Sequence, residues 1–182
     1  MYPLPLPNQW LNAKTHLLNA SFKPAQQWIE SESSLTIRIK ELGIAFSLQV
    51  LNQTEQQLSL EQQQLLHTTD TSALFREVLL KQGEIPLVYA QTIMPASTVT
   101  GTETMLAELG NQPLGQVLFQ SPQAVRSNIE FAEVTPNSQL GKFIQNQLQQ
   151  AIVHPCYVRR SHFQLNTKPL LVCECFLPAL FE

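Results

Sequence analysis

The sequence predicts an α+β fold, in which a single six-stranded antiparallel sheet is surrounded by helices. Three observations carry this. Six strand-sized stretches, at about 44–53, 72–82, 86–94, 125–134, 156–166 and 169–178, are rich in apolar and β-branched residues. Short turns at Gln82-Gly83-Glu84 and Asn166-Thr167-Lys168 join two pairs of them, which makes those pairs antiparallel hairpins. The intervals hold short capped or amphipathic helical patterns rather than one long helix per strand.

In chain order, residues 1–23 read as a proline-broken arm with a helical patch around Trp10 to Leu18. Pro24 suits the first turn of a helix through Trp28 and Ile29, about 24–30. Ser33 and Ser34 are candidate N-caps for a second helix, 35–42, closed by Gly43. Ile44 to Gln53 places Phe46, Leu48 and Val50 on one strand face. The glutamine-rich connection 54–70 carries a helical patch at Leu60 to Leu66. After the 72–94 hairpin comes a loop of small residues, 95–101. Thr102 then opens a helix that Gly110 closes, followed by a short apolar piece, Val117 to Phe119. Pro136 to Ile152 aligns Leu140, Phe143, Ile144, Leu148 and Ile152 and reads as one amphipathic helix.

The 182 residues suit one domain, spanning 1–182 with 1–23 as its arm. A net charge of −3 with no basic run argues against nucleic acid or an anionic membrane surface as partner. Helices 24–30 and 35–42 form a helix-turn-helix by shape, but the second offers only Arg38 and Lys40, beside Glu41, so DNA reading is not expected. The N-terminus lacks a basic region and is broken by prolines, unlike a signal peptide or membrane span. Cys156, Cys173 and Cys175 read as reduced core thiols, which places the protein in the cytoplasm. His16, His67, His154 and His162 show no ligand spacing, and no metal is expected.

Two charged residues conflict with their strands. Glu174 sits in the apolar run Pro169 to Pro178 and shares a face with Leu170, Val172 and Phe176. Isolating a carboxylate there costs several kcal/mol unless it is paired, hydrogen-bonded or protonated. Arg76 shares a face with Leu74, Val78 and Leu80, and its planar fork suits a carboxylate. Either Arg76 and Glu174 pair with each other, or they line opposite ends of one pocket around a small anion with a polar far end. Cys173 and Cys175 alternate with Glu174 and point to the other face, so neither is a nucleophile beside it.

An ordered set of motifs runs along the chain. It comprises Arg-Glu-Val-Leu-Leu (76–80), Pro-x-Ser-x-x-x-Gly (95–101) and Leu-Gly-x-x-Pro-Leu-Gly-x-x-Leu-Phe (109–119). Arg-Arg-Ser (159–161) and Lys-Pro-Leu-Leu-x-x-Glu-x-Phe-Leu-Pro (168–178) complete it. From about Trp28 to Pro178 this set resembles the chorismate lyase family. The resemblance implies an internal ligand cavity closed by helical flaps. It also implies a cofactor-free reaction in which chorismate loses pyruvate to give 4-hydroxybenzoate, the aromatic precursor for ubiquinone. The family's arginine falls on Arg76, which would hold the ring carboxylate together with the backbone amides of Leu35 and Leu114. Its glutamate falls on Glu174, near the ring hydroxyl, as general base or as holder of that hydroxyl.

Leu35 stands where one member of the family has methionine, and the stretch from Ile129 to Arg159 is longer here. The second substrate carboxylate needs its own donor, with Arg126, Arg159, Arg160 and Lys168 as candidates. The family implies a monomer whose partners are chorismate and 4-hydroxybenzoate. Two rival readings follow the same fold. One is a non-catalytic binding module like the effector domains of a class of bacterial transcription regulators. The other is a lyase giving another hydroxybenzoate isomer.

Overall fold

The computed structural model describes residues 2–16, 23–43 and 45–182. Leu17 and Leu18 of the expected N-terminal helical patch, and Ile44 of the first expected strand, lie outside them. The strands are β1 (Leu11–Asn12), β2 (Phe46–Gln57), β3 (Ser72–Gln82), β4 (Ile85–Pro95), β5 (Ala124–Val134), β6 (Cys156–Leu165) and β7 (Lys168–Phe176). They form one antiparallel sheet in the order β1-β5-β6-β7-β4-β3-β2. The sheet therefore has seven strands rather than the expected six. The extra one is β1, where a helical patch was expected. Leu11 and Asn12 pair with Phe131 and Glu130, and Trp10 lies 4.1 Å under the Arg160 guanidinium. Cross-strand pairing at a sheet edge and one stacked ring override a weak local helix pattern.

The hairpin turns act as read. Gly83 takes φ 55°, and Asn166 and Thr167 take φ 49° and 69°, which aligns the β6–β7 turn with the sheet twist. Around the sheet lie α1 (Lys23–Ile29), α2 (Leu35–Glu41), α3 (Leu60–Leu66), α4 (Leu114–Gln120) and α5 (Gln139–Lys142). Ser59 caps α3 with a reciprocal Gln62 bond. The Thr102 segment is a 3-10 helix, Gly101–Glu108, and the apolar piece around Val117 belongs to α4.

The expected helix 136–152 is not one helix. After α5 the chain widens into a π-turn, Phe143–Gln147, and ends where Gln149 adopts φ 54°. Leu140, Phe143 and Ile144 are still buried, and Leu148 and Ile152 pack beside them. The apolar side survives because burial constrains which residues face in, not which helix type carries them.

The sheet faces differ. One carries Val78, Val88, Ala90 and Phe176 under Ala25, Ile29, Leu35 and Ile39 of α1 and α2. Leu106, Leu109, Leu114 and Leu118 cover its other end. The opposite face is covered by α5, the π-turn and Leu4 of the arm. There Glu77, fully buried, accepts bonds from the Leu4 amide (2.7 Å), the Tyr89 hydroxyl, Asn52 Nδ2 (3.2 Å) and Gln91 Nε2 (3.4 Å). Burial and the facing Glu77 carboxylate push the Tyr89 phenol far above its ordinary pKa, so it donates. Cys173 lies on this face, and burial pushes its thiol up to about 12.

One polar cluster outside the core also positions the site. Glu103 of the 3-10 segment takes bonds from Lys168 (2.6 Å), Thr102 (2.6 Å) and Asn166 (2.6 Å). It ties the segment leading to Gly110 onto the β6–β7 turn. The Lys168 bond, then those from Thr102 and Asn166, hold its carboxyl down at about 2.

Two stability measurements test this account. Glu77→Ala leaves four donors without their acceptor, and should cost about 3 kcal/mol and lower Tm by about 6–12 °C. Limited proteolysis before Trp10 should quicken in the same variant, and unchanged cleavage would mean that Glu77 does not hold the arm. Glu103 has a folded pKa below its ordinary 4.5, so its contribution is complete above about pH 4.5 and lost as pH falls towards 2. Over that window the denaturant midpoint should fall more steeply in the wild type than in Glu103→Gln. Parallel curves would remove the cluster from the stability account.

Candidate active site

The ladder register places the charged residues. One row across the sheet runs Val78, Ala90, Glu174, Arg159, Phe131. The next runs Gln53, Arg76, Thr92, Val172, Ser161, Ile129. Residues two apart on a strand share a face, so Arg76, Glu174 and Arg159 all point to the side covered by α2 and α4. They line one cavity, with apolar walls from Leu48, Val78, Leu80, Leu118, Phe163 and Val172. It encloses about 600 Å³ free of atoms, part of it open to solvent.

Arg76 and Glu174 do not pair with each other. Arg76 is 3% exposed and, among the described residues, bonds neutral acceptors: Gln53 Oε1 at 2.8 Å and the carbonyls of Gly110 and Gln112 at 2.7 and 3.4 Å. Burial lowers its pKa. A guanidinium held in place without a carboxylate is a preorganised anion receptor.

Glu174 has a different partner from the one expected. Its Oε2 takes both Arg159 Nε (2.8 Å) and Nη2 (2.6 Å). Among the described residues its Oε1 has no hydrogen bond. Arg159, 2% exposed, spends Nη1 on the Trp28 and Ser31 carbonyls at 2.8 and 2.9 Å. The ion pair thus also holds the α1–α2 turn over the cavity. Arg38 adds to that hold, stacking 4.1 Å from the Trp28 ring and bonding the Gln27 carbonyl.

Leu35 and Leu114 are the first residues of α2 and α4, where backbone amides have no intrahelical acceptor. Both line the cavity. The two helix starts approach closely at Gly115, where a Cβ would lie 3.5 Å from Thr36 Oγ1 and 3.8 Å from Ser34 Oγ. All four expected site residues, Leu35, Arg76, Leu114 and Glu174, therefore meet at one cavity.

Sequence reasoning did not assign the Arg159–Glu174 pair, although a signal for it was present. The two-residue turn pairs Leu165 with Lys168, and counting six residues out along each strand pairs Arg159 with Glu174. Gln53, Gly110 and Gln112 carry no such signal, because they reach Arg76 only through the tertiary fold.

Comparisons with known proteins give the family of the chain. Residues 6–182 match the family model described as chorismate lyase. A protein named "Probable chorismate pyruvate-lyase" from Pseudoalteromonas translucida (strain TAC 125) is 39% identical over 186 residues, covering 99% of this chain and 97% of that protein. One of the same name from Psychromonas ingrahamii is 38% identical over 152 residues, covering 84% and 81%. Among solved structures, the effector domain of PhnF from Mycobacterium smegmatis superposes with a TM-score of 0.59 at 12% identity, covering 82% of this chain and 91% of that one. That likeness shows the fold alone. On the match along nearly its whole length and the identity to these relatives, the chain belongs to the chorismate lyase family.

Proposed function

We propose that this protein is a chorismate pyruvate-lyase that converts chorismate to 4-hydroxybenzoate and pyruvate. The observation that carries the reading is the buried Arg76 without an anion, in the same cavity as Glu174. A ligand suited to that cavity is a small ring with a carboxylate at one end and a hydrogen-bonding group at the other. The names of the relatives supply the substrate.

Arg76 holds the ring carboxylate by its fork, and the amides of Leu35 and Leu114 complete that end. Glu174 Oε2 is committed to Arg159, so Oε1 accepts the hydroxyl bond. The ether bond to the enolpyruvyl group breaks, its electron pair leaving on the oxygen. The proton on the carbon bearing the hydroxyl passes to the departing enolpyruvyl group, or to Glu174 if that residue is the base, and the electrons of that C–H bond complete the aromatic ring. Enolpyruvate takes a proton at its methylene and becomes pyruvate. Aromatisation drives the reaction, so positioning supplies most of the catalysis.

We place the enzyme in the cytoplasm as a single-domain monomer, on the reading of its thiols and its family. Its product would supply the aromatic precursor for ubiquinone. Among the described residues no helix is long and apolar enough to cross a membrane.

Incubation with chorismate followed by product identification tests the reading. 4-Hydroxybenzoate plus pyruvate supports it, a different isomer points to the sister lyase, and no turnover points to a binding module. Arg76→Ala should lower kcat/KM by about 100-fold or more, and Arg76→Lys should recover only part. Glu174→Gln should cost less than about tenfold in turnover if Glu174 holds the hydroxyl, whereas a loss of about 10² or more would make it the base. 4-Hydroxybenzoate keeps both contacted ends and should inhibit competitively, with benzoate binding more weakly for want of the Glu174 partner. Equal affinity for the two acids would remove Glu174 from the site.

A further inference from the structure

The cavity carries more positive charge than one ring carboxylate needs. Three guanidinium groups line it, those of Arg76, Arg126 and Arg159, against the single carboxylate of Glu174. This leaves an excess of two positive charges. Arg159 is matched to Glu174, so the two unmatched cations are Arg76 and Arg126.

The other cations considered for a second carboxylate are already committed. Arg160 pairs with Glu130 at 2.8 Å, beside Trp10. Lys168 pairs with Glu103 at 2.6 Å. Neither lines the cavity.

Arg126 is bonded to neutral acceptors and, among the described residues, makes no ion pair; the Glu32 and Glu174 carboxylates act on it only from beyond bonding distance. Nε and Nη2 both donate to Ser161 Oγ, at 3.1 and 2.6 Å, and Nη1 donates to the Ser31 carbonyl at 3.1 Å. Its guanidinium lies 5.6 Å from the Phe163 ring centroid. Burial, then the nearby Arg159 charge, lower its pKa to about 10. A cation destabilised in this way gains from an incoming anion.

Its position depends on an irregularity of the sheet. Ile129 pairs with Ser161 and Arg126 with Phe163, so three steps along β5 match two along β6. Simple alternation from Ile129 would send residue 126 to the far face. The bulge reverses that parity and puts Arg126 on the cavity side, one row beyond Ser161.

We propose that Arg126, oriented by Ser161 and aimed by the β5 bulge, binds the second carboxylate of the substrate, the one on the enolpyruvyl arm. This rests on the proposed function, which places the ring carboxylate on Arg76 and the hydroxyl at Glu174. The arm leaves the ring carbon next to the hydroxyl, so its carboxylate lies at the Glu174 end of the cavity, away from Arg76. The charges of Arg159 and Glu174 both act on Arg126. Through Nη1, Arg126 also joins the bound arm to the Ser31 carbonyl in the turn that covers the cavity.

The test separates the arm from the ring. Calorimetry would compare 4-hydroxybenzoate, 3-(carboxymethoxy)-4-hydroxybenzoate and the 3-(carbamoylmethoxy) amide of the latter. The wild type should prefer the arm carboxylate over its neutral amide by about tenfold or more, and more strongly at low salt. In Arg126→Gln that preference should fall to about threefold or less, while 4-hydroxybenzoate affinity stays within about twofold and KM for chorismate rises about tenfold. Arg126→Lys, which keeps the charge, should retain part of the preference and carries the test if the glutamine variant does not fold. A wild-type preference near one overturns the proposal. So does an undiminished preference in Arg126→Gln, or an equal loss for all three ligands, which would make Arg126 a structural support. A wild type that binds 4-hydroxybenzoate but shows no arm preference confines the failure to this proposal. A wild type that binds neither 4-hydroxybenzoate nor chorismate overturns the proposed function and this inference together.

Discussion

The ion pair between Arg159 and Glu174 organises the site. It neutralises a carboxylate that the apolar face of β7 would otherwise reject. It also engages the carboxylate that shares the cavity wall with Arg76, so among the described residues Arg76 is left with neutral acceptors. The remaining donors of Arg159 hold the carbonyls of Trp28 and Ser31, so the pair sets the position of the α1–α2 turn as well. Glu174 is thus paired with an arginine other than Arg76.

Strand β3 connects the two faces of the sheet. Consecutive residues Arg76 and Glu77 point to opposite sides, one into the cavity and one into the layer under the arm. Among the described residues no cation bonds Glu77, which is held by the donors of four residues. Among the same residues no anion bonds Arg76, which is held by carbonyl and amide oxygens. The same dipolar strategy serves both, and the cationic side lines the cavity under α2 and α4. The Glu77 cluster fixes β3, and with it the base of the Arg76 side chain.

Much of this was legible in sequence because it depends on local chemistry. The β3 and β7 strands and the β6–β7 turn follow from apolar runs and from Asn166. The two misplaced charges, Arg76 and Glu174, marked the site because burial makes a lone charge costly wherever it falls. Their true partners were harder to see. Arg159 was recoverable by counting from the hairpin turn, but Arg126 was not. The bulge that turns Arg126 inward leaves no mark in the alternation of Val125 to Val134. Likewise the stretch 136–152 announced its buried side but not its break into α5, a π-turn and irregular chain.

By itself, the sequence determined the sheet and its main hairpins, the two charges that need explaining and the family motifs that contain them. These depend on side-chain period, turn chemistry and the cost of burying charge, all of which act over a few residues. Only the tertiary structure decided which cation meets which anion. Partner choice depends on strand order, ladder register and bulges, and on the Gly110 and Gln112 carbonyls brought from 34 and 36 residues away to meet Arg76. Such distances are set by how the whole chain packs, and no local pattern encodes them.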